Sequence, residues 1–204
     1  MKQLLRGLKF TEPLRTSRNR RRLRRQIQGA SPLNVILGSG TTDYPGWIAT
    51  DSDLLNITRP GDWDQLFAPA SIDRLLTEHV LEHLYQEECT IALVECFRHL
   101  KPGGLLRIAV PDGYRRDSAY VAEASPPKDG HRVLFNVDTL VRLIESVGFQ
   151  ATPLEYFDAH ENFHAHTWNE ADGLIVRSVR FDRQQDFKRG ELFYTSLIVD
   201  ARKI

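Results

Sequence analysis

Apolar residues fall in short runs separated by glycine, proline and acidic positions, and their spacing switches between strand and helix periods. Leu33 to Leu37 (LNVIL) stops at Gly38-Ser39-Gly40, the pattern of a buried strand ending in a tight turn. Trp47 to Thr50 forms a second short strand with Asp51 at its carboxyl end, and residues 52 to 71 are loop with one helical turn around Asp64 to Phe67. Ile72 to Thr77 is a third strand. Glu87 to Leu100 places Ile91, Val94 and Phe97 at helical spacing, and this helix must stop at Lys101-Pro102-Gly103-Gly104 because proline cannot continue it. Leu105 to Val110 is a buried strand and Val137 to Val147, closed by Gly148, an amphipathic helix. Leu174 to Phe181 alternates and Leu192 to Asp200 is rich in β-formers, which predicts two antiparallel strands in a long C-terminal hairpin. Strands alternating with helices imply a parallel sheet with helices packed on it.

Composition narrows the class. With 204 residues, 41% hydrophobic and 26% charged, the chain has the make-up of a soluble globular domain, and no run approaches the roughly 18 apolar residues of a membrane helix. Two cysteines cannot make a disulfide framework. Cys89 and Cys96, seven apart on a helix, stand about 10 Å from each other along its axis, too far to bridge, so a reducing, cytoplasmic compartment is expected.

The net charge is zero, but residues 1 to 32 carry ten Lys or Arg against one acid, Glu12. That divides the chain into a basic N-terminal arm, 1 to 32, and a domain, 33 to 204. The arm has a thin apolar stripe (Leu4, Leu5, Leu8, then Leu23 and Ile27) beside the arginine cluster Arg18 to Arg25. It reads as a solvated helix on the outside of the domain, or as a contact for an anionic surface, a nucleic acid or a phosphate-bearing substrate. No secretory signal follows the charges.

In an open parallel sheet a ligand sits beyond the carboxyl ends of the strands. Gly38, Ser39 and Gly40 stand there after the first strand, Asp51 after the second, Glu78 and His79 after the third, and Pro111 and Asp112 after the fourth. Glycines admit a ligand close to the backbone, and an acid at the next strand end can accept both hydroxyls of a ribose. A nucleoside-like cofactor fits.

These residues, with LNVILGSG (33 to 40), PGWIATD (45 to 51), SIDRLLTEHVLEHL (71 to 84), ECFRHLKPGGLLRIAVPD (95 to 112), GHRVLFNVDTLVRLIESVGF (130 to 149) and LIVDARK (197 to 203), resemble the class I S-adenosylmethionine-dependent methyltransferases. The likeness covers residues 33 to 203. It implies a Rossmann-like, mostly parallel α/β sheet with helices on both faces and an antiparallel C-terminal hairpin. It further implies S-adenosylmethionine as cofactor, with Gly38, Ser39 and Gly40 lining it, Asp51 holding its ribose and Glu78 and His79 at its border. The acceptor would be a small or sugar-bearing molecule. One departure stands out: only nine residues, Gly38 to Gly46, separate the first two strands, where the family carries a whole helix, so that helix is expected to be missing. Asp53 is an alternative ribose partner, and a non-catalytic binding module that kept the fold, or after it a zinc hydrolase, is an alternative function.

A sulfonium methyl is already activated, so the protein must align donor and acceptor and, for an oxygen acceptor, remove a proton. Asp112 and His131 are the candidate bases, ahead of His79 and His83. Two zinc-like strings also occur, His79-Val80-Leu81-Glu82-His83 and His160-Glu161-Asn162-Phe163-His164. The first straddles a strand end and the second lies in a polar segment without an apolar helical face. Neither context is the helix that such a motif requires, and no metal is expected.

Overall fold

The computed structural model describes residues 12–182 and 196–204. Seven strands form one sheet in the order β2-β1-β3-β4-β7-β5-β6, with β1 Asn34–Leu37, β2 Ile48–Ala49, β3 Ile72–Glu78, β4 Leu100–Val110, β5 Gln150–Phe157, β6 Phe163–Ala165 and β7 Leu197–Arg202. The β1–β2, β1–β3 and β3–β4 pairs are parallel, whereas β7 lies antiparallel between β4 and β5, and β6 pairs antiparallel with β5. Five strands therefore run one way. This is the expected mostly parallel α/β sheet with antiparallel C-terminal strands.

The sheet buries both faces. Val35, Leu37, Leu75, Leu106, Ile108, Val110, Leu197 and Val199 alternate onto the larger core. Onto that core pack α2 (Pro60–Leu66) through Trp63 and Leu66, and α3 (Gln86–His99) through Cys89, Ala92, Leu93 and Cys96, a helical i, i+3, i+4, i+7 stripe. Burial pushes the Cys89 thiol up to about 12, so both buried cysteines behave as small apolar groups. After the short α4 (Ser118–Ala124), α5 (Val137–Ser146) adds Leu140, Leu143 and Ile144; it starts at a capping box in which Asn136 Oδ1 accepts from the Thr139 N–H and Thr139 Oγ1 accepts from the Asn136 N–H. α3 ends one residue before the Lys-Pro-Gly-Gly stretch, which is absorbed in β4 as an irregularity: Ile72 pairs with Leu100, but Arg74 already pairs with Leu105.

Of the basic segment, Glu12–Gly29 is helical; Leu4, Leu5 and Leu8 of the expected stripe lie outside the described residues. α1 (Glu12–Gly29) docks on the domain: Leu23 is buried in the larger core, and Arg20 and Arg24 donate to the Gln65 side chain and carbonyl, both at 3.2 Å.

The expected hairpin is built from other residues. Leu174 to Phe181 is not a strand: Ile175 packs under the second sheet face with Leu76, Ala109 and Ile198, and a short α6 (Val179–Asp182) follows. Residues 183–195, which include the start of the Leu192 to Asp200 run, lie outside the described residues. The N–H groups that an edge strand would give to a neighbour go to buried or half-buried carboxylates. Glu78 accepts from Val176 and Arg177, and Glu155 from Val179. The antiparallel hairpin is instead β5–β6, next to β7. The second face is covered by residues 166–182, helical only at Glu170–Asp172 and α6.

Arg107 fastens that cover. Its side chain is 1% exposed, its Nε and Nη2 donate to both oxygens of Asp200 on β7, and its Nη1 donates to the carbonyls of Asn169 and Gly173, with Trp168 stacked over the guanidinium at 4.8 Å.

Candidate functional site

No helix lies between β1 and β2. Residues 38–47 return as turns, tied by Ser39 N–H to Thr50 O at 2.8 Å and Thr50 N–H to Ile36 O at 2.9 Å. The turn is made by Gly38 (φ +63°) and Gly40 (φ +54°), both in the left-handed region that favours glycine. Gly38 is also held by space, because a Cβ there would lie 2.6 Å from Val80 Cγ2, whereas a Cβ on Gly40 would meet nothing within 4 Å.

Asp51 belongs to this turn. Its Oδ2 accepts the Gly40 N–H at 2.9 Å and its Oδ1 the Ser52 N–H at 2.6 Å, and each oxygen retains a lone pair. Beside it opens a hollow of about 430 Å³ lined by Ser39, Gly40, Thr41 and Asp43 on one side and by Asn19, Arg22 and Gln26 of α1 on the other. Asp53 is exposed, and neither it nor Asp51, Gly38, Glu78 or His79 is among the residues that line the hollow, which takes in Ser39 and Gly40 of the expected set. The α1 residues were not legible as site residues, because nothing in the arginine-rich pattern says which of its polar groups turns inward.

The fit to a nucleoside cofactor rests on these features: glycine backbone open to a ligand, a carboxylate on the same turn, and a hollow alongside of the size that small-molecule sites have.

Glu78 and His79 close β3 but face different tasks. Glu78 holds the segment 176–177 through its carboxylate, and burial together with the Glu78 charge pushes the Tyr44 hydroxyl up to about 12. His79 (φ +55°) places Nε2 2.9 Å from Ser196 Oγ and Nδ1 3.0 Å from Glu82 Oε1.

The two candidate bases stand apart in character. Asp112 is 1% exposed; its oxygens accept the N–H groups of Tyr114 at 2.9 Å and Phe157 at 2.7 Å, and burial pushes its carboxyl up to about 6. It ties the end of β4 to the end of β5. His131 is buried, with Nδ1 2.7 Å from the Ala124 carbonyl and its ring edge-on to His83 at 4.9 Å.

The zinc-like strings separate as well. His160 to His164 forms the β5–β6 turn and β6, with Glu161 at φ +61° and His164 bonded to Asp158 at 2.8 Å, so no helix carries it. His79 to His83 runs from the strand end into a 3-10 turn, Leu81–His83.

Residues 49–108 match the methyltransferase domain family. A Mycolicibacterium smegmatis protein, named as an S-adenosylmethionine-dependent methyltransferase, is 31% identical over 93 residues, which cover 45% of this chain and 34% of that protein. By these matches and by its fold, the chain is similar to the S-adenosylmethionine-dependent methyltransferases. An Archaeoglobus fulgidus S-adenosylmethionine-dependent methyltransferase superposes with a TM-score of 0.51 at 14% identity, over 95% of both chains. A chain from a Haloferax volcanii complex of a methyltransferase activator with a methyltransferase gives 0.52 at 11% identity, over 94% of this chain and 93% of that one. At such identities the two structures support the methyltransferase fold alone. The matched stretch spans about a third of the length of the Mycolicibacterium protein.

Proposed function

We propose that this domain transfers a methyl group from S-adenosylmethionine to a small or sugar-bearing acceptor seated beyond the carboxyl ends of β1 and β3. The observation that carries the reading is the hydrogen bond that joins Gly40, on the wall of the hollow, to Asp51. When bound, the cofactor supplies an activated sulfonium methyl. The chain then has to bind, align and exclude water. The Gly38 to Gly40 turn brings backbone close to the ligand, the remaining lone pairs of Asp51 suit ribose hydroxyls, and Glu78 and His79 border the site at the end of β3.

Of the two groups offered for proton transfer, Asp112 is committed to two backbone amides and acts as a positioning residue. His131 keeps Nε2 available and is the better general base. Arg22 on the wall of the hollow and the exposed Arg21 and Arg25 favour an acceptor, or a surface presenting it, that carries negative charge.

Calorimetry with S-adenosylmethionine and with its demethylated product tests the reading. Saturable micromolar binding of both is expected, and no heat with either ligand would overturn it. Label transfer from methyl-labelled cofactor to hydroxyl-bearing sugars, with and without anionic groups, then tests the acceptor class.

A further inference from the structure

The turn between β3 and α3 carries a carboxylate that methyl transfer leaves without a task. The Glu82 side chain is 0% exposed, and neither of its oxygens has a hydrogen-bond partner among the described residues. His79 Nδ1 approaches Oε1 to 3.0 Å, but outside hydrogen-bond geometry. Burying a carboxylate in this way is costly unless something positive meets it. Two imidazoles stand next to it: the ligand atoms of Glu82, His83 and His131 all lie within 4.8 Å of one another, the one such group among the described residues.

The backbone holds this group together. The Glu82 carbonyl accepts the N–H groups of Arg132 at 2.6 Å and Val133 at 3.2 Å, which fastens the chain beside His131 to the 3-10 turn. The contact between His131 Nδ1 and the Ala124 carbonyl places the proton on Nδ1 and leaves the Nε2 lone pair to coordinate, the usual outer support of a metal-binding histidine. His79, held at its other nitrogen by Ser196 Oγ, is placed to support the carboxylate.

We propose that Glu82, His83 and His131 bind a divalent transition-metal ion, zinc being the fitting one, with an open position for water or an acceptor oxygen. Two imidazoles and one carboxylate are the donor set of three-ligand zinc sites, and the imidazoles disfavour calcium and magnesium. Zinc bonds of about 2.0–2.2 Å place ligand atoms roughly 3.3 Å apart, so the group tightens on the ion, and the exposed His83 has room to move. Ion binding does not depend on methyl transfer. A bound ion would occupy the Nε2 lone pair of His131, and acceptor activation would pass from the imidazole to the open position.

Zinc titration by calorimetry of the chelator-treated full chain, made without a histidine tag, tests this, with cobalt absorption as a second readout. One ion per chain at sub-micromolar Kd is expected, with visible cobalt bands and a thermal midpoint raised by metal. His83→Ala, on the exposed ligand, and Glu82→Gln should each weaken binding by 100-fold or more and remove the metal-induced rise. His160→Ala with His164→Ala should leave all three unchanged. Absence of binding below 100 µM, or binding lost in the His160/His164 variant but kept in His83→Ala, would overturn the site. Either result leaves cofactor binding, and with it the methyltransferase reading, to be judged by its own titration.

Discussion

The backbone N–H of Gly40 donates to Oδ2 of Asp51 at 2.9 Å, so the turn that ends β1 and the acid that follows β2 are one unit rather than two neighbouring features. With no helix between these strands, this bond does part of what that helix would do: it sets where the returning chain stops. Asp51→Asn keeps an acceptor at the turn but removes the charge, and should lower affinity for S-adenosylmethionine about 10- to 100-fold, as for the loss of a charge-assisted hydrogen bond. Calorimetry reads this directly; an unchanged Kd would move the ribose contact elsewhere on the rim.

Gly38 and Gly40 share a left-handed backbone but differ in surroundings, which separates two costs. Gly40→Ala should lose about 1 kcal/mol, the cost of a Cβ at positive φ, since nothing lies within 4 Å. Gly38→Ala adds the collision with Val80 and should lose about 2–4 kcal/mol. Urea unfolding of Gly38→Ala with Val80→Ala should show the double variant less damaged than the sum of the singles. Strict additivity would mean that Val80 does not define the turn.

What could be read from the sequence was local. LNVIL before Gly-Ser-Gly gave a strand and a turn because a buried strand and left-handed glycines each leave a short-range mark. The absence of a first helix followed from nine residues being too few. Leu174 to Phe181 misled because its alternation does reflect a buried side, Ile175 among it, but its amide donors are taken by Glu78 and Glu155, about a hundred and about two dozen residues away. The same holds at the site. Glu82 and His83 were visible in one string and His131 in another, yet their meeting depends on a carbonyl of one turn accepting from amides of a distant segment, and no periodicity encodes that.

Arg107 makes a similar long-range tie, with an energetic consequence. Its four donated bonds join β4, β7 and the cover at Asn169 and Gly173. Arg107→Met takes two donors from the Asp200 carboxylate and one each from the Asn169 and Gly173 carbonyls, and should cost about 3–5 kcal/mol. Arg107→Lys should recover only part, since an ammonium cannot reproduce the fork. Hydrogen exchange should quicken first at residues 169–175; uniform quickening across the sheet would instead mean that the cover and the sheet open together.

Asp112 gives stability a pH dependence of unusual sign. Burial raises its folded carboxyl from 3.8 to about 6, against the opposing pull of the Phe157 and Tyr114 amides and of Arg115. The folded state thus holds the proton more tightly than the unfolded chain. The resulting stabilisation is complete below the unfolded value, and it is lost as pH rises through about 6. Asp112→Asn resembles the protonated form and does not titrate, so the difference between wild type and variant isolates this group from all others. In urea unfolding, wild type should gain about 2 kcal/mol on the variant between pH 7.5 and pH 4.5. A difference that stays flat over that interval would mean the two amides fully offset the burial, and that Asp112 is ionised in the folded protein at both pH values.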